Sequence, residues 1–204
     1  MASQVSHIIY AQRYFEKYPS NTIDKDQFML GCCFPDIRRI DESVKRKDTH
    51  LCYDCLDLDF SNMSSFEAGW KFHLYCDMKR EEILNRYNFY AIDGTAEMAG
   101  LAAKLLEDEL VYDSYNNWEK VRLFFNNPPE IGTGLDVSRE SFEMWYAIIA
   151  RYFEERPNDK TMHIFLSKQP SLAADADAII EAVDKLRGND KVKDILQRVN
   201  QEII

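Results

Sequence analysis

Five side chains in the first half of this 204-residue chain carry the donor atoms of a metal site: His7, Asp36, His50, His73 and Asp77. His73 and Asp77 stand four residues apart in a segment with helical patterning. Side chains at i and i+4 lie one above the other on a helix face, so both can reach one ion. Imidazole is the commonest metal ligand, and carboxylates complete many such sites. Each residue also has an ordinary reading when taken alone. His7, among Val5, Ile8 and Ile9, would be a core-edge histidine bonded to a carbonyl. Asp36, after Pro35, would be a turn or cap residue. His50 would be a solvated loop histidine, and His73 and Asp77 surface or capping groups. Gly69, one turn before His73, would let another helix approach closely.

The elements that must position these residues read as helices. Val5, Ile8, Ile9, Ala11, Tyr14 and Phe15 recur at helical spacing over residues 3–18, before Pro19. A short helix is expected around Asp24–Cys32, stopping at Phe34-Pro35-Asp36. Residues 37–62 are charged and irregular and read as a long loop, which in a compact domain is usually functional or disordered. Ser64-Ser65-Phe66-Glu67 has the form of a capping box. The helix it opens should run to about Tyr90, short of Asp93-Gly94. Thr95 is the expected cap of a helix carrying Met98, Leu101, Ala102, Leu105, Leu106, Leu110 and Val111 toward Phe125. Asn126-Asn127-Pro128-Pro129 breaks it. Ser138 should cap a helix through Arg156. Residues 160–168 carry no decisive pattern. Ser171–Arg187 reads as a helix with Gly188 at its C-cap, and Val192, Ile195, Leu196 and Val199 mark a last one.

No strand pattern competes, so the expectation is one all-α domain over 1–204. The candidate site falls in a half of about 1–125, and a helical C-terminal half covers about 138–204. Thirty-five acidic against 25 basic residues leave a formal charge of −10. Such a surface repels phosphate backbones and anionic lipid, which argues against a nucleic-acid scaffold or polybasic membrane binder. A bound metal can invert that logic locally. No apolar run reaches membrane-spanning length, and the first residues lack the pattern of a signal peptide. Five cysteines, an odd number, fit reduced thiols and a cytoplasmic location.

The order of the polar residues resembles a known family. A helical His near the start is followed by Gly31-Cys32-Cys33-Phe34-Pro35-Asp36, by Thr49-His50, and by Phe66-Glu67-Ala68-Gly69 leading to His73 and Asp77. This succession is similar to that of the zinc-dependent phospholipase C and S1/P1 nuclease superfamily, whose fold is all-α. The resemblance implies that Asp36, His50, His73 and Asp77 hold one metal. It implies that His7 helps hold a second, with Asp77 bridging, and that Asp36 acts as general base. One or two Zn²⁺ ions would then support attack of a metal-bound hydroxide on a phosphate ester, in a small molecule or a lipid headgroup.

The chain also departs from that family. The third metal there needs a further histidine and a His-x-x-x-Glu or His-x-x-x-Asp on the next helix, yet residues 78–162 hold no histidine. Lys104 and Asp108 occupy that interval, beside Glu107 and Glu109. The Lys104 ammonium could stand where a cation would sit, or the stretch could be a solvated acidic helix face. The family's terminal amine, from a tryptophan, has no counterpart, and a terminal-amine ligand is not expected.

The lost ligands also fit a degenerate relative that binds metal, serves a binding or regulatory role and catalyses little. A helical interaction module whose His and Asp groups satisfy one another is a further reading. Cys52-Tyr53-Asp54-Cys55 with Cys32-Cys33 is a poor pattern for thiolate zinc, because adjacent cysteines seldom converge on one ion. HD-type phosphohydrolases use an adjacent His-Asp pair, which this chain lacks. His163 reads as a structural histidine. Trp118, Trp145, Tyr146, Tyr152 and Phe153 read as core.

Overall fold

The structure, a computed structural model, describes residues 3–19, 22–53, 55–96 and 100–204. Among these the chain is all-helical, a bundle built on one continuous core. The helices are α1 (Gln4–Lys17), α2 (Lys25–Cys33), α3 (Arg46–Thr49), α4 (Ser65–Arg86) and α5 (Leu101–Val111). They continue with α6 (Trp118–Asn126), α7 (Arg139–Tyr152), α8 (Asp159–Ser167), α9 (Ala176–Arg187) and α10 (Asp190–Glu202). No helix among the described residues is long and apolar enough to cross a membrane.

Local signals set most starts. Asp24 caps α2 by accepting from Gln27 N, and Ser138 caps α7 by accepting from Ser141 N. Ser64 and Glu67 form the expected reciprocal capping box on α4. The ends differ more from expectation. The presumed loop 37–62 contains the end of a 3₁₀ turn, Phe34–Arg39, and the single turn α3. Helix α4 stops at Arg86, before a 3₁₀ turn at Phe89–Ala91. Thr95 does not cap α5; Gly100 does, while the Thr95 hydroxyl donates to the carbonyls of Phe89 and Ile92. Met98 lies outside the described residues.

The long helix expected toward Phe125 is two helices. Tyr112 stacks on Trp118 with ring centroids 4.7 Å apart, and Trp118 Nε1 donates to Tyr112 O, so the chain folds back between them. Helix α7 ends at Tyr152 rather than Arg156, where Tyr112 Oη donates to Phe153 O. The undecided stretch 160–168 is largely α8. Residues 171–175 precede α9 as a turn rather than belonging to it.

Helices α2 and α4 make the most extensive contact in the fold. Two glycines permit it. A β-carbon on Gly31 would overlap the Phe66 carbonyl, and one on Gly69 would overlap the Phe28 carbonyl. The backbones therefore meet directly, and Phe28, Phe34, Phe66 and Phe72 bury completely or nearly so around the crossing. Each such side chain contributes about 1.5–3 kcal/mol of burial. Helix α7 is tied to the same place: Trp145 Nε1 donates to Cys33 O and Tyr146 Oη to Leu30 O. Helix α1 packs on α2, α4 and α5. The crossing thus brings the C-terminal end of α2, the middle of α4 and the start of α1 to one place.

Candidate metal centre

His73 and Asp77 occupy successive turns of α4, and α1 lays His7 beside them. The His7 and His73 rings stack in parallel, with centroids 4.0 Å apart and planes within 3°. Both side chains are fully buried. His7 Nδ1 lies 2.9 Å from Ser3 O, and His73 Nδ1 lies 2.7 Å from Cys32 O. A carbonyl only accepts, so each Nδ1 donates its proton outward and each Nε2 is turned inward. Both Nε2 atoms are buried without a hydrogen-bond partner. They face Asp77: His7 Nε2 is 3.8 Å from Oδ1 and His73 Nε2 is 3.5 Å from Oδ2.

His50 joins from the end of α3. Its Nε2, also buried without a hydrogen-bond partner, stands 3.9 Å from Asp77 Oδ2. Its ring lies edge-on to His73, with centroids 5.8 Å apart. Thr49 holds it, Oγ1 lying 3.1 Å from His50 Nδ1, and Trp70 Nε1 donates to Thr49 O to pin the turn onto α4. Three buried imidazole nitrogens therefore surround one carboxylate at 3.5–3.9 Å. That spacing exceeds a hydrogen bond. Two donors each bound tetrahedrally to Zn²⁺ at about 2.0–2.1 Å stand roughly 3.3 Å apart, close to what is seen. The tightest set is His7, His73 and Asp77, whose ligand atoms all lie within 4.8 Å of one another. It can hold a divalent ion, with carbonyls orienting the imidazoles as outer partners of metal-bound histidines do.

Protonation favours the same use. Burial, then the neighbouring His73, lowers His7 to about 3, although Asp77, Ser3 and Asp36 pull the other way. Burial, His73 and Arg46 lower His50 to about 4 against Asp36 and Asp77. Both rings are neutral at pH 7, as ligation requires. Burial pushes the Asp77 carboxyl up, but opposing interactions, His73 the largest and His7 among them, hold it well below the usual range.

Asp36 is fully buried nearby but is otherwise engaged. Its Oδ2 accepts from Gln4 Nε2 at 2.9 Å, while Oδ1 lies 3.2 Å from Arg39 Nε and 3.6 Å from Arg38. Burial raises its pKa, yet Arg39, His73 and Arg38 together depress it strongly. It is outside the set of mutually close ligand atoms.

The reading of residues 104–109 as a solvated acidic face is overturned. Lys104, Glu107 and Asp108 are all buried. Asp108 accepts from Ser6 N at 2.9 Å and Ser6 Oγ at 2.8 Å, and so caps α1 from across the fold. Glu107 accepts from Tyr10 Oη and, at 2.7 Å, from Arg80 Nε. Lys104 interacts electrostatically with Arg80, Arg39, Asp77 and Asp36. The buried Lys104 ammonium is thus electrostatically coupled to both carboxylates. Arg38, Arg39 and Gln4 were not singled out from sequence. Asp36-Ile37-Arg38-Arg39, placing Arg at i+3 from an Asp in an acidic chain, is the one signal that could have shown two of them.

The remaining candidates lie apart. Cys52 and Cys55 are exposed, Cys32 and Cys33 are buried, and no metal-ligand group among the described residues contains a cysteine. Asp54 and the terminal residues Met1 and Ala2 lie outside the described residues. His163 pairs with Asp177 at 3.1 Å and its ring lies by Ser167. The five aromatic residues from Trp118 to Phe153 are core. An apolar groove of about 420 Å³ runs between α7 and α8, past Met144, Ile148, Tyr152, Ile164 and Phe165. None of the candidate ligands lines it. Comparison with family models, curated proteins and solved structures finds no match to this chain.

Proposed function

We propose that this chain is a metal-dependent hydrolase of phosphate esters, similar to the zinc-dependent phospholipase C and S1/P1 nuclease superfamily. One observation carries the reading: three buried imidazole Nε2 atoms without hydrogen-bond partners aim at one carboxylate. His7, His73 and Asp77 would hold a divalent cation, with His50 alongside. The nitrogen-rich donor set favours Zn²⁺. When bound, the cation would supply positive charge against a phosphoryl oxygen and acidify water toward a pKa of about 7.

The chain's own groups do the positioning. Ser3 O and Cys32 O fix the tautomers and ring planes of His7 and His73. Burial keeps His7 neutral. Asp36 contributes a fixed negative charge, held by Gln4 and Arg39. A carboxyl made this acidic by arginines accepts a proton poorly, so general-base work there would be weak. The substrate would be a small-molecule or lipid-headgroup phosphate ester. A cytoplasmic location belongs to the same reading, supported by the odd number of cysteines.

The test is elemental analysis of protein purified without chelator, with a panel of phosphomonoesters and phosphodiesters. Near-stoichiometric metal with turnover is expected; metal-free, inactive protein would refute the reading. A second reading, a degenerate relative that binds metal but catalyses little, is favoured by one feature. The Lys104–Asp108 interval is sealed in a buried network instead of offering a further metal site. Metal at stoichiometry with no turnover across the panel would select it.

A further inference from the structure

Positive charge gathers beside the candidate centre of an otherwise acidic chain. Arg38 is half-buried; its guanidinium stands 3.6 Å from Asp36, and its Nε is buried with no hydrogen-bond partner. Arg46 is exposed on α3, and its carbonyl accepts from His50 N at 2.8 Å, so the two residues share one turn. Arg46 acts electrostatically on both Arg38 and His50. Behind them Arg39 bonds Gln169 as well as Asp36, and Lys104 is buried within range of Asp36 and Asp77.

Four cationic side chains therefore stand against two carboxylates. Cations beside a metal site weaken it, because they repel the ion they adjoin. The surplus is useful only if an anion arrives. The buried Arg38 Nε points the same way, since a donor without a partner is costly and is satisfied by an incoming oxygen. Guanidinium groups match phosphate oxygens in geometry and charge. The count also selects a substrate. Four cations less two carboxylates leave two positive charges, and a bound divalent ion would add two more, a surplus that favours the more highly charged ester. A phosphate monoester carries about −1.5 to −2 at pH 7, whereas a diester carries one negative charge.

We propose that Arg38 and Arg46 bind the terminal phosphate of a phosphate monoester at the mouth of this centre, with Arg39 and Lys104 as buried positive charges behind it. The assignment deepens the phosphate-ester reading and rests on it. Inorganic phosphate is the probe, titrated calorimetrically into the full chain with and without Zn²⁺. Arg38→Gln and Arg46→Gln are each expected to weaken its binding by about tenfold or more at unchanged zinc content. Hydrolysis of p-nitrophenyl phosphate should exceed that of its bis-ester, and both variants should narrow that preference. Because Arg38 touches Asp36, exposed Arg46 carries the decision if Arg38→Gln disturbs the fold. Unchanged phosphate affinity in Arg46→Gln overturns the proposal while leaving the metal reading intact. Wild type that takes up no zinc yet binds phosphate, and loses it in Arg46→Gln, upholds the anion site and sinks the metal reading instead.

Discussion

At the scale of single residues, the stacked imidazoles are the informative pair. Each donates its Nδ1 proton outward and turns its Nε2 inward, so two imidazole nitrogens and a carboxylate share one buried space. A cation relieves that arrangement. His73→Ala and Asp77→Asn should each lower zinc affinity by at least about 100-fold, since losing even an outer partner costs 10–100-fold. Competition with a chromophoric chelator would measure it; wild-type affinity in either variant would show that the ion sits elsewhere.

The pH dependence of the zinc-free chain follows from three groups. His7 and His50 fall to about 3 and about 4 from 6.5, so their contribution to stability is present above 6.5 and lost as pH falls below it. Asp108 acts in the opposite sense. Burial raises it from 3.8 to about 7 despite bonds from Ser3 and Ser6, so its contribution is full below 3.8 and lost as pH rises through 7. From pH 6.5 down to 4 two imidazole protons oppose one carboxyl proton, and stability should fall by about 1.4 kcal/mol per pH unit. Asp108→Asn removes the opposing group while keeping an acceptor for Ser6. It should roughly double that slope, read from urea midpoints of chelated protein at several pH values. An unchanged slope would mean Asp108 does not titrate here.

At the scale of elements, the α2–α4 crossing couples packing to the site. Gly31 and Gly69 let the backbones touch, and this contact sets Cys32 O against His73 Nδ1. Gly69→Ala should push α2 away, costing about 1–3 kcal/mol of stability. Zinc affinity should fall with it, because the carbonyl that orients His73 moves. Ser64→Ala is the control: it removes only the α4 cap, worth about 1 kcal/mol, and should spare zinc binding. Equal zinc loss in both variants would point to general destabilisation rather than coupling through the crossing.

For the whole molecule, the candidate ligands come from α1, α4 and the turn that ends in His50, segments that meet only in the folded state. An ion bound there stabilises the native chain alone. Zinc at 100 times its dissociation constant should add about 2.7 kcal/mol, or roughly 5–11 °C in Tm for a domain of this size. Calorimetry with and without zinc would show it, and His73→Ala should abolish the shift.

Much of the local architecture was written in short stretches of chain. Apolar spacing marked α1, and the Ser64 box and Ser138 marked the starts of α4 and α7, because capping and periodicity act within one or two turns. The shared face of His73 and Asp77 follows from helix geometry alone. Three things needed the assembled fold. Helices α5 and α6 separate because Trp118 folds onto Tyr112. Lys104, Glu107 and Asp108 look like a solvated face until Ser6, Tyr10 and Arg80 arrive to satisfy them. His7 becomes a partner of His73 only when α1 packs across α4. An isolated stretch of chain states its backbone preference, but the burial of a charge and the meeting of two imidazoles depend on what distant segments bring against them.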